Sequence, residues 1–427
     1  MFFLCLLLLV PELQQAEAPD QFAILEHVKL NVQAELAMSS NYTCVQTVER
    51  TYYQEKHACI SNTPHGKRKE FMRDRLRLDV AVSEGAEIFS WHGETHFTST
   101  DVAQVVQNGP RTSGQFVGFL RNIFFTQGVQ FTFKGASQVN GQAVYLFDYA
   151  VQLLRSNYYL RGRIGGSVIP YHGSFAVDAH DFELVHLSIV ADQVPLESGT
   201  CSAETDVDYQ LVNISGRQSL LPSAFLLKVE NDNDLYTVNH YTYAQCREFR
   251  GESTVHFTVV DPVAPVATHH PVDAPLPAGL TLKAALDGEV SDKASYIGDA
   301  VNATLAEPLT LPETGKVIPA GASLHGVISE MQQHSETLTY WVFGIKLDRL
   351  KAGEDSYLLN AWPLPAGYNN SGSRFGSERA LSGLTLQAAQ HGLWFFDGSH
   401  FRLPKQWTRY WRTRPLPKPD EPQSVTR

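Results

Sequence analysis

The segment at residues 279–328 constrains the fold more than any other part of this chain. From residue 280 to residue 286, apolar side chains recur at every second position, which is typical of a half-buried antiparallel strand. The step Ile318–Pro319–Ala320–Gly321 places proline and glycine where a type I turn takes them, so a further strand follows from Ser323. The segment contains no catalytic motif, and it predicts a small antiparallel β-barrel.

The first half of the chain shows strand alternation after one amphipathic helix. Residues 20–38 predict the helix, with Leu25, Val28, Val32 and Leu36 on one stripe. Ten strands are predicted after it, at residues 42–53, 69–82, 87–91, 129–136, 143–153, 171–177, 182–191, 205–212, 225–229 and 236–249. The fold class is therefore mainly β.

A short apolar helix interrupts these strands. Ser113 is predicted to cap it, and large apolar side chains then recur at spacings of three and four residues. These side chains are Phe116, Phe119, Leu120, Ile123 and Phe124. The pattern allows two interpretations, a lid over a bound ligand or a plug that fills the core, and both stay open at this point.

The N-terminus predicts export. Residues 2–10 are apolar and a polar, alanine-containing segment continues to Ala18, as in a secretory signal peptide. The run is too short to span a bilayer, which takes about 20 apolar residues. Two features depart from the usual signal: no lysine or arginine follows Met1, and Pro19 comes directly after the Ala16–Glu17–Ala18 site. We predict a signal at residues 1–18 and a periplasmic or secreted protein.

Cysteine usage agrees with export. Without Cys5, which lies in the apolar run, four cysteines remain: Cys44, Cys59, Cys201 and Cys246. An even set in an exported chain predicts two disulfides, and local pairing of the first two and of the last two is favoured. Closing the first of these loops would contribute about 3 kcal/mol. The alternative is four buried thiols in a reducing compartment.

A proline-rich segment divides the chain. Residues 261–277 hold five prolines and two histidines and few large apolar side chains, as expected of an extended linker. We predict one domain at residues 20–260 and a second at 278–414, each folding on its own. Residues 415–427 alternate proline with charged residues and predict a disordered tail.

Charge excludes one class of partner. A net charge of -11 argues against nucleic-acid binding, because phosphate affinity requires concentrated lysine and arginine. Residues 394–418 differ from the rest of the chain, since basic and aromatic side chains alternate there with Asp397 as the one acid. They are Trp394, Arg402, Lys405, Trp407, Arg409, Tyr410, Trp411, Arg412, Arg414 and Lys418. This basic-aromatic segment predicts contact with an anionic membrane surface or a partner; the alternative is a closing strand whose aromatic side chains cover the barrel.

No motif for catalysis or metal binding is present. The residues from His92 to His96 do not form HExxH, and they lie at a strand end, where the two rings do not share a helix face. P-loop, GxGxxG and GxSxG motifs are absent. We predict a non-enzymatic protein without metal or cofactor; an acid–base pair assembled in space stays open as a third alternative. Arg73, Arg75 and Arg77 share one strand face, which suits either an anion or a solvated surface.

The order of helix, strands and short apolar helix resembles the LolA-like periplasmic fold across residues 20–260. Residues 31–50 resemble its helix-to-first-strand entry, and residues 173–178 with 182–189 resemble its strand–turn–strand signature. The resemblance implies an unclosed antiparallel β-barrel that holds acyl chains or a lipidated partner beneath a short helical lid. It assigns ligand binding to the five apolar side chains of the short helix. Related members act as envelope sensors or scaffolds, and they imply protein–protein contacts as the alternative function.

The second domain resembles the small β-barrel of TrbI-type conjugation and secretion proteins. Residues 298–301 and 318–326 carry this resemblance. It implies an extracytoplasmic β-domain used in assembly. Together the two resemblances predict an envelope protein that binds a hydrophobic or lipidated ligand in its first domain.

Overall fold

The computed structural model describes residues 20–38, 42–55, 67–83, 85–94, 97–163, 165–248, 274–364 and 392–416. The predicted signal, residues 261–273 of the predicted linker, the tail from residue 417, Cys59 and His96 lie outside the described residues. We call residues 20–248 the first unit and residues 274–416 the second unit.

The described residues of the first unit form three α-helices and twelve strands. The helices are α1 (Gln21–Met38), α2 (Val102–Val105) and α3 (Gly118–Phe124). The strands are β1 (Tyr42–Gln54), β2 (Lys69–Ser83), β3 (Ala86–Trp91), β4 (Gln130–Val139), β5 (Gln142–Val151), β6 (Tyr159–Arg161), β7 (Gly166–Val168), β8 (Tyr171–Asp178), β9 (Leu184–Ala191), β10 (Thr200–Ile214), β11 (Arg217–Asn231) and β12 (Leu235–Glu248). Two single turns of 3-10 helix occur at Leu153–Arg155 and Leu196–Ser198.

Ten of these strands form one curved antiparallel sheet, which we call the half-barrel. Its order is β4–β5–β8–β9–β10–β11–β12–β1–β2–β3. Among the described residues no pairing joins β3 to β4, so the barrel is unclosed. Strand alternation places every second residue of β1 from Tyr42 to Tyr52 in the interior. Helix α1 covers the interior with Ile24, Val28 and Val32, which recur four residues apart and are buried.

The second unit is a small closed barrel. Its strands are β13 (Ala274–Pro275), β14 (Thr281–Leu286), β15 (Val290–Ser291), β16 (Ala300–Leu305), β17 (Leu309–Thr310), β18 (Val317–Ile318), β19 (Ser323–His334), β20 (Tyr340–Ala352), β21 (Asp355–Pro363), β22 (Trp394–Asp397), β23 (Arg402–Leu403) and β24 (Thr408–Thr413). Six strands close the ring in the order β14–β16–β19–β20–β21–β24 and back to β14. The predicted fold class, mainly β with an unclosed barrel followed by a small barrel, is confirmed.

The two units share a continuous sheet. Strand β19 pairs with β2, with Gln332 opposite Asp74. Beside this pairing, Arg77 N donates to Ile297 O at 2.9 Å, and Ile297 N donates to Arg75 O at 2.9 Å. Within the predicted linker, Ala274 and Pro275 pair in parallel with β21. The domain boundaries given above stay predictions.

The predicted local disulfide pairing is wrong. Cys44 bonds to Cys246, 202 residues away, and so links the neighbouring strands β1 and β12. Nearness in sequence did not predict the bond, because β12, the last strand of the half-barrel in the chain, lies beside β1, the first. Because Cys246 is bonded to Cys44, the predicted bond between Cys201 and Cys246 is excluded, and Cys201 is itself disulfide-bonded.

The basic-aromatic segment contributes three tryptophans to the core of the second barrel. Trp394, Trp407 and Trp411 are buried, and their rings meet edge to face at 4.9 Å and 5.6 Å between ring centroids. This burial matches the alternative of a closing strand whose aromatic side chains fill the barrel. Arg409 stacks on Trp407 at 4.5 Å, so part of the positive charge also packs against the barrel.

The arginine stripe of β2 binds the second unit. Arg75 donates to Ser295 O at 2.9 Å, and Arg77 lies 3.2 Å from the Asp299 carboxylate. Both guanidinium groups stack on the Tyr296 ring, at 4.4 Å and 3.9 Å. Two of the three predicted arginines therefore hold the interface between the units.

Candidate functional site

A cavity of about 600 Å³ opens beside the short apolar helix of the first unit. Part of its lining consists of apolar side chains from α3 and from strands β8 to β11. They are Phe119, Tyr171, Ile189, Ala203, Leu227 and Val229. Most of these side chains are buried, and their inward positions follow from the alternation of the half-barrel strands. The volume lies within the range of about 300–1,000 Å³ that is typical of small-molecule sites.

The five apolar side chains predicted to bind a ligand lie in two different environments. Phe119 lines the cavity. Phe116, Leu120, Ile123 and Phe124 are not among the lining residues; they are buried in the half-barrel core. The Phe124 ring meets the Phe175 ring edge to face, with centroids 5.1 Å apart. These four side chains therefore fill the core, which is the second of the two interpretations that the sequence left open.

The start of α3 is held by a residue that the sequence analysis missed. Ser113 does not cap the helix, whose first flanking residue, Val117, has no side-chain cap. Instead the Glu87 carboxylate on β3 accepts hydrogen bonds from Gly114 N at 2.8 Å and Phe116 N at 2.9 Å. Burial raises the pKa of Glu87, while these backbone donors pull it down. A partner 27 residues away in sequence has no local signal, so periodicity could not have predicted it.

A hairpin that the sequence analysis did not predict borders the cavity together with α3. Strands β6 and β7 form this hairpin, and Tyr159, Arg161 and Arg163 on it line the cavity. Arg161 pairs with Asp101, the N-cap of α2, at 2.6 Å. Arg163 pairs with Asp232, in the turn between β11 and β12, and its backbone N donates to Ser198 O at 3.0 Å. The hairpin therefore contacts the start of α2 through Arg161 and the turn between β11 and β12 through Arg163.

Charge is unevenly distributed around the cavity. The lining residues include three arginines, Arg111, Arg161 and Arg163, and one carboxylate, Asp101. Three tyrosines, Tyr158, Tyr159 and Tyr171, also line the cavity, and burial raises the pKa of Tyr158 to about 12, so that it stays neutral at physiological pH. The cavity therefore combines an apolar wall with a net positive rim.

The histidine motif does not form a metal site in the part of the chain that is described. His92 Nδ1 lies 2.8 Å from the Asp79 carboxylate, and His96 is outside the described residues. No group of three or more histidine, cysteine or acidic side chains among the described residues is arranged to hold a metal ion. In the same residues, no helix has the length and apolar character needed to cross a bilayer.

Neither a family model nor a curated protein matches the chain. Among solved structures, the chain is similar to a DUF1329 family protein from Desulfovibrio piger, with 10% identity and a TM-score of 0.26 over 54% of this chain and 94% of that one. It is also similar to a putative outer membrane lipoprotein-sorting protein domain from Vibrio parahaemolyticus, with 8% identity and a TM-score of 0.27 over 54% and 93%. The lipoprotein LppX of Mycobacterium tuberculosis matches with 8% identity and a TM-score of 0.19 over 54% and 98%. Similarities at such identities and TM-scores carry no information about the function of this chain.

Proposed function

We propose that the first unit is a non-enzymatic binding domain that holds a hydrophobic ligand, or the lipid chain of a lipidated partner, in the cavity beneath the β6–β7 hairpin. The observation that carries the proposal is the cavity of about 600 Å³ with its wall of Phe119, Ile189 and Leu227. A concave site that is lined by apolar side chains and has a few polar groups at its edge is the usual form of a small-molecule site.

The hairpin supports this function as a cover. Its side-chain ion pairs to the rest of the unit are exposed, and exposed ion pairs typically contribute about 0–1 kcal/mol each; one backbone hydrogen bond, from Arg163 N to Ser198 O, adds to them. Opening it therefore costs little compared with opening the core around Phe124. We propose that the β6–β7 hairpin, in place of the predicted helical lid, gives the ligand access.

The compartment belongs to the same proposal. Disulfides persist in the periplasm and outside the cell and are rare in a reducing cytosol. The bond between Cys44 and Cys246, together with the signal peptide predicted at residues 1–18, supports a periplasmic or secreted location.

Probe binding with a cavity-filling variant tests the proposal. The uncharged fluorophore N-phenyl-1-naphthylamine should brighten on binding to the wild type, and long-chain ligands should displace it. Ala203 lies on the cavity wall, so Ala203→Leu inserts a larger side chain into the site. We expect at least about tenfold weaker probe binding for this variant. Ala224→Leu makes the same change at an exposed position on β11 and should leave binding unchanged.

The choice of variant matters because the predicted residues are mostly core. Replacing Phe124 by a polar residue would remove packing worth about 3–5 kcal/mol and would confuse loss of binding with loss of folding. Absence of probe binding by the wild type, or equal binding by Ala203→Leu and Ala224→Leu, would contradict the proposal.

A second candidate is an envelope scaffold or sensor that acts through protein contacts. The packed interior around Phe124 and Phe175 favours it, as do two leucines beside the hairpin, Leu154 and Leu196, which are 93% and 90% exposed. A photo-crosslinking residue at either leucine, introduced in cells, tests this candidate. A crosslink to one defined envelope protein, combined with no probe binding, would favour the scaffold.

We also propose membrane contact through the basic-aromatic segment, limited to its exposed arginines. Its three buried tryptophans are committed to the barrel core, so the exposed charges of Arg402 and Arg412 remain for an anionic surface. Arg402 pairs with Glu289 at 2.5 Å, which reduces its availability. Flotation with anionic and zwitterionic vesicles is the measurement.

A further inference from the structure

The arginines of the cavity differ in whether a carboxylate neutralises them. Arg161 and Arg163 lie at the exposed hairpin and pair with Asp101 and Asp232. The Asp101 carboxylate is the one acid on the cavity lining, and it also accepts a hydrogen bond from Ala103 N at 2.9 Å as the N-cap of α2. The described residues therefore leave no lining carboxylate for a third arginine.

Arg111 is that third arginine. It lies in the loop between α2 and α3, and its Nη1 donates to Gly109 O at 2.8 Å. Its Nε is buried and has no hydrogen-bond partner within the described part of the chain. A buried donor without a partner is unfavourable, and more so when the group carries a charge.

The surroundings of Arg111 disfavour its charge. Burial lowers the pKa of Arg111, and the positive charges of Arg161 and Arg50 lower it further. A guanidinium keeps its proton at physiological pH in spite of this shift. The site therefore presents a permanent cation in a partly buried position, where an anion gains more than it would in bulk water.

Phe119 and the apolar wall bound the same cavity as Arg111. An anionic group alone would leave this wall uncovered, and an apolar chain alone would leave the positive charge of Arg111 without a counter-charge. A molecule with both parts satisfies both surfaces, because a carboxylate or phosphate accepts paired hydrogen bonds from one guanidinium group.

We propose that Arg111 binds the headgroup of an anionic amphiphile whose apolar chain lies against Phe119, Ile189 and Leu227. This inference rests on the proposed function, since it names the class of ligand for the same cavity. The shared chemistry is a carboxylate or phosphate group on a single long chain.

Competition between matched ligands tests the inference. Laurate and dodecyl phosphate carry the anion, while 1-dodecanol has the same chain without it; each displaces N-phenyl-1-naphthylamine from the full-length protein at pH 7.5. The wild type should prefer the two anions over the alcohol. Arg111→Gln should bind both anions about 10- to 100-fold more weakly and dodecanol as before. Arg111→Lys keeps the charge and should restore part of the preference.

Arg217→Gln is the matched control, because Arg217 is exposed at the start of β11 and lies outside the cavity lining. It should change the anion preference by less than about threefold. Inorganic phosphate at constant ionic strength should not displace laurate, since it lacks the chain; displacement would mean a site for a free anion and would overturn the assignment. Equal binding of laurate and dodecanol, or an unchanged preference in Arg111→Gln, would also overturn it. Failure of all three chains to bind would instead reject the proposed function.

Discussion

At the scale of single residues, the most consequential side chains are charged groups buried near the contact between the two units. Arg50 on β1 and Asp74 on β2 form a two-bonded pair, with both N–O distances at 2.6 Å and both side chains almost fully buried. Asp74 is also the residue of β2 that faces Gln332 across the junction. Glu330 on β19 is the second carboxylate in this network.

Glu330 makes the stability of the protein depend on pH. Burial and the Asp74 carboxylate raise the pKa of Glu330 from 4.5 to about 7, against the opposite effect of Arg50. Because the folded state keeps the proton longer than the unfolded state, the free energy of unfolding falls as pH rises from about 4.5 to about 7. Glu330→Gln cannot lose a proton and should be more stable than the wild type at pH 8, on the order of 1–3 kcal/mol, with a smaller difference at pH 5.

Urea unfolding at the two pH values measures this effect. Glu336→Gln removes one carboxylate from an exposed position just after β19 and should show no such pH dependence. A difference between Glu330→Gln and the wild type that is the same at pH 5 and pH 8 would show that ionisation of Glu330 is not the cause.

The sequence predicted which residues of the site are apolar, but not what they contact. The spacing of Phe116 and Phe124 identified a helix with one apolar side, and four of its five large apolar side chains lie buried in the core while Phe119 lines the cavity. The sequence analysis missed Glu87 and Arg111. Glu87 acts through contacts to residues far away in sequence, and Arg111 stands out because one of its nitrogen atoms has no hydrogen-bond partner among the described residues. Periodicity carries no information about such contacts.

At the scale of secondary-structure elements, alternation located most strands to within a few residues. Strand β1 was predicted at residues 42–53 and spans Tyr42–Gln54; β2 was predicted at 69–82 and spans Lys69–Ser83. Strand β11 was predicted at residues 225–229 and spans Arg217–Asn231, with Pro222 inside it. The structure places Pro222 opposite Tyr209 at a shift of register, where a bulge accommodates proline.

The hairpin over the cavity shows where alternation fails. Strands β6 and β7 have three residues each, and glycines occupy Gly162, Gly165 and Gly166 around the turn. Segments this short contain too few alternating positions to be distinguished from a loop. The element that borders the proposed ligand was therefore invisible to the sequence analysis.

The disulfide between β1 and β12 gives a prediction about these two elements. Because it closes a segment of 202 residues, this bond should constrain the unfolded chain more than the predicted local bond would. The expected contribution to stability is about 5 kcal/mol at most, against about 3 kcal/mol for the local bond. Cys246→Ala should lower the free energy of unfolding by several kcal/mol, within that limit of about 5 kcal/mol, as measured in urea without reductant.

Peptide mapping without reduction checks the connectivity directly. We expect the link from Cys44 to Cys246, and, since Cys201 is itself bonded, a second link from Cys201 to the one cysteine left in a chain without its signal, Cys59. A link between Cys44 and Cys59 in exported protein would be incompatible with the half-barrel pairing described above.

At the scale of the whole molecule, the sheet crosses from one unit to the other. The sequence could not predict this, because the pairing of β2 with β19 joins strand edges more than 250 residues apart, at Asp74 and Gln332. Each half read separately looked able to close its own core, and the proline-rich segment between them supported separation. The resemblance of the second unit to TrbI-type barrels stays a prediction; its closed six-stranded ring follows from the strand pairings themselves.

The junction predicts how the molecule responds to cleavage. Limited proteolysis is still expected to cut first between Val263 and Pro275, in the segment with five prolines. The expectation from sequence was that the two fragments would then separate. The pairing of β2 with β19 and the stacking of Arg75 and Arg77 on Tyr296 predict instead that they stay associated. Co-elution of the cleaved protein on a sizing column is the measurement.

A single glycine provides the means to break this association. Gly298 has a φ of +94°, and a Cβ there would meet the Trp91 ring and lie 2.8 Å from Arg77 O, both on the first unit. Gly321 has nearly the same φ, +92°, but no atom within 4 Å of its Cβ. Gly298→Ala and Gly321→Ala therefore introduce similar backbone strain, and only the first forces the two units apart. After cleavage we expect the fragments of Gly298→Ala to separate on the column, while those of the wild type and of Gly321→Ala elute together. Separation of the wild-type fragments would show that each unit folds without the other and that the shared sheet contributes little to the assembly.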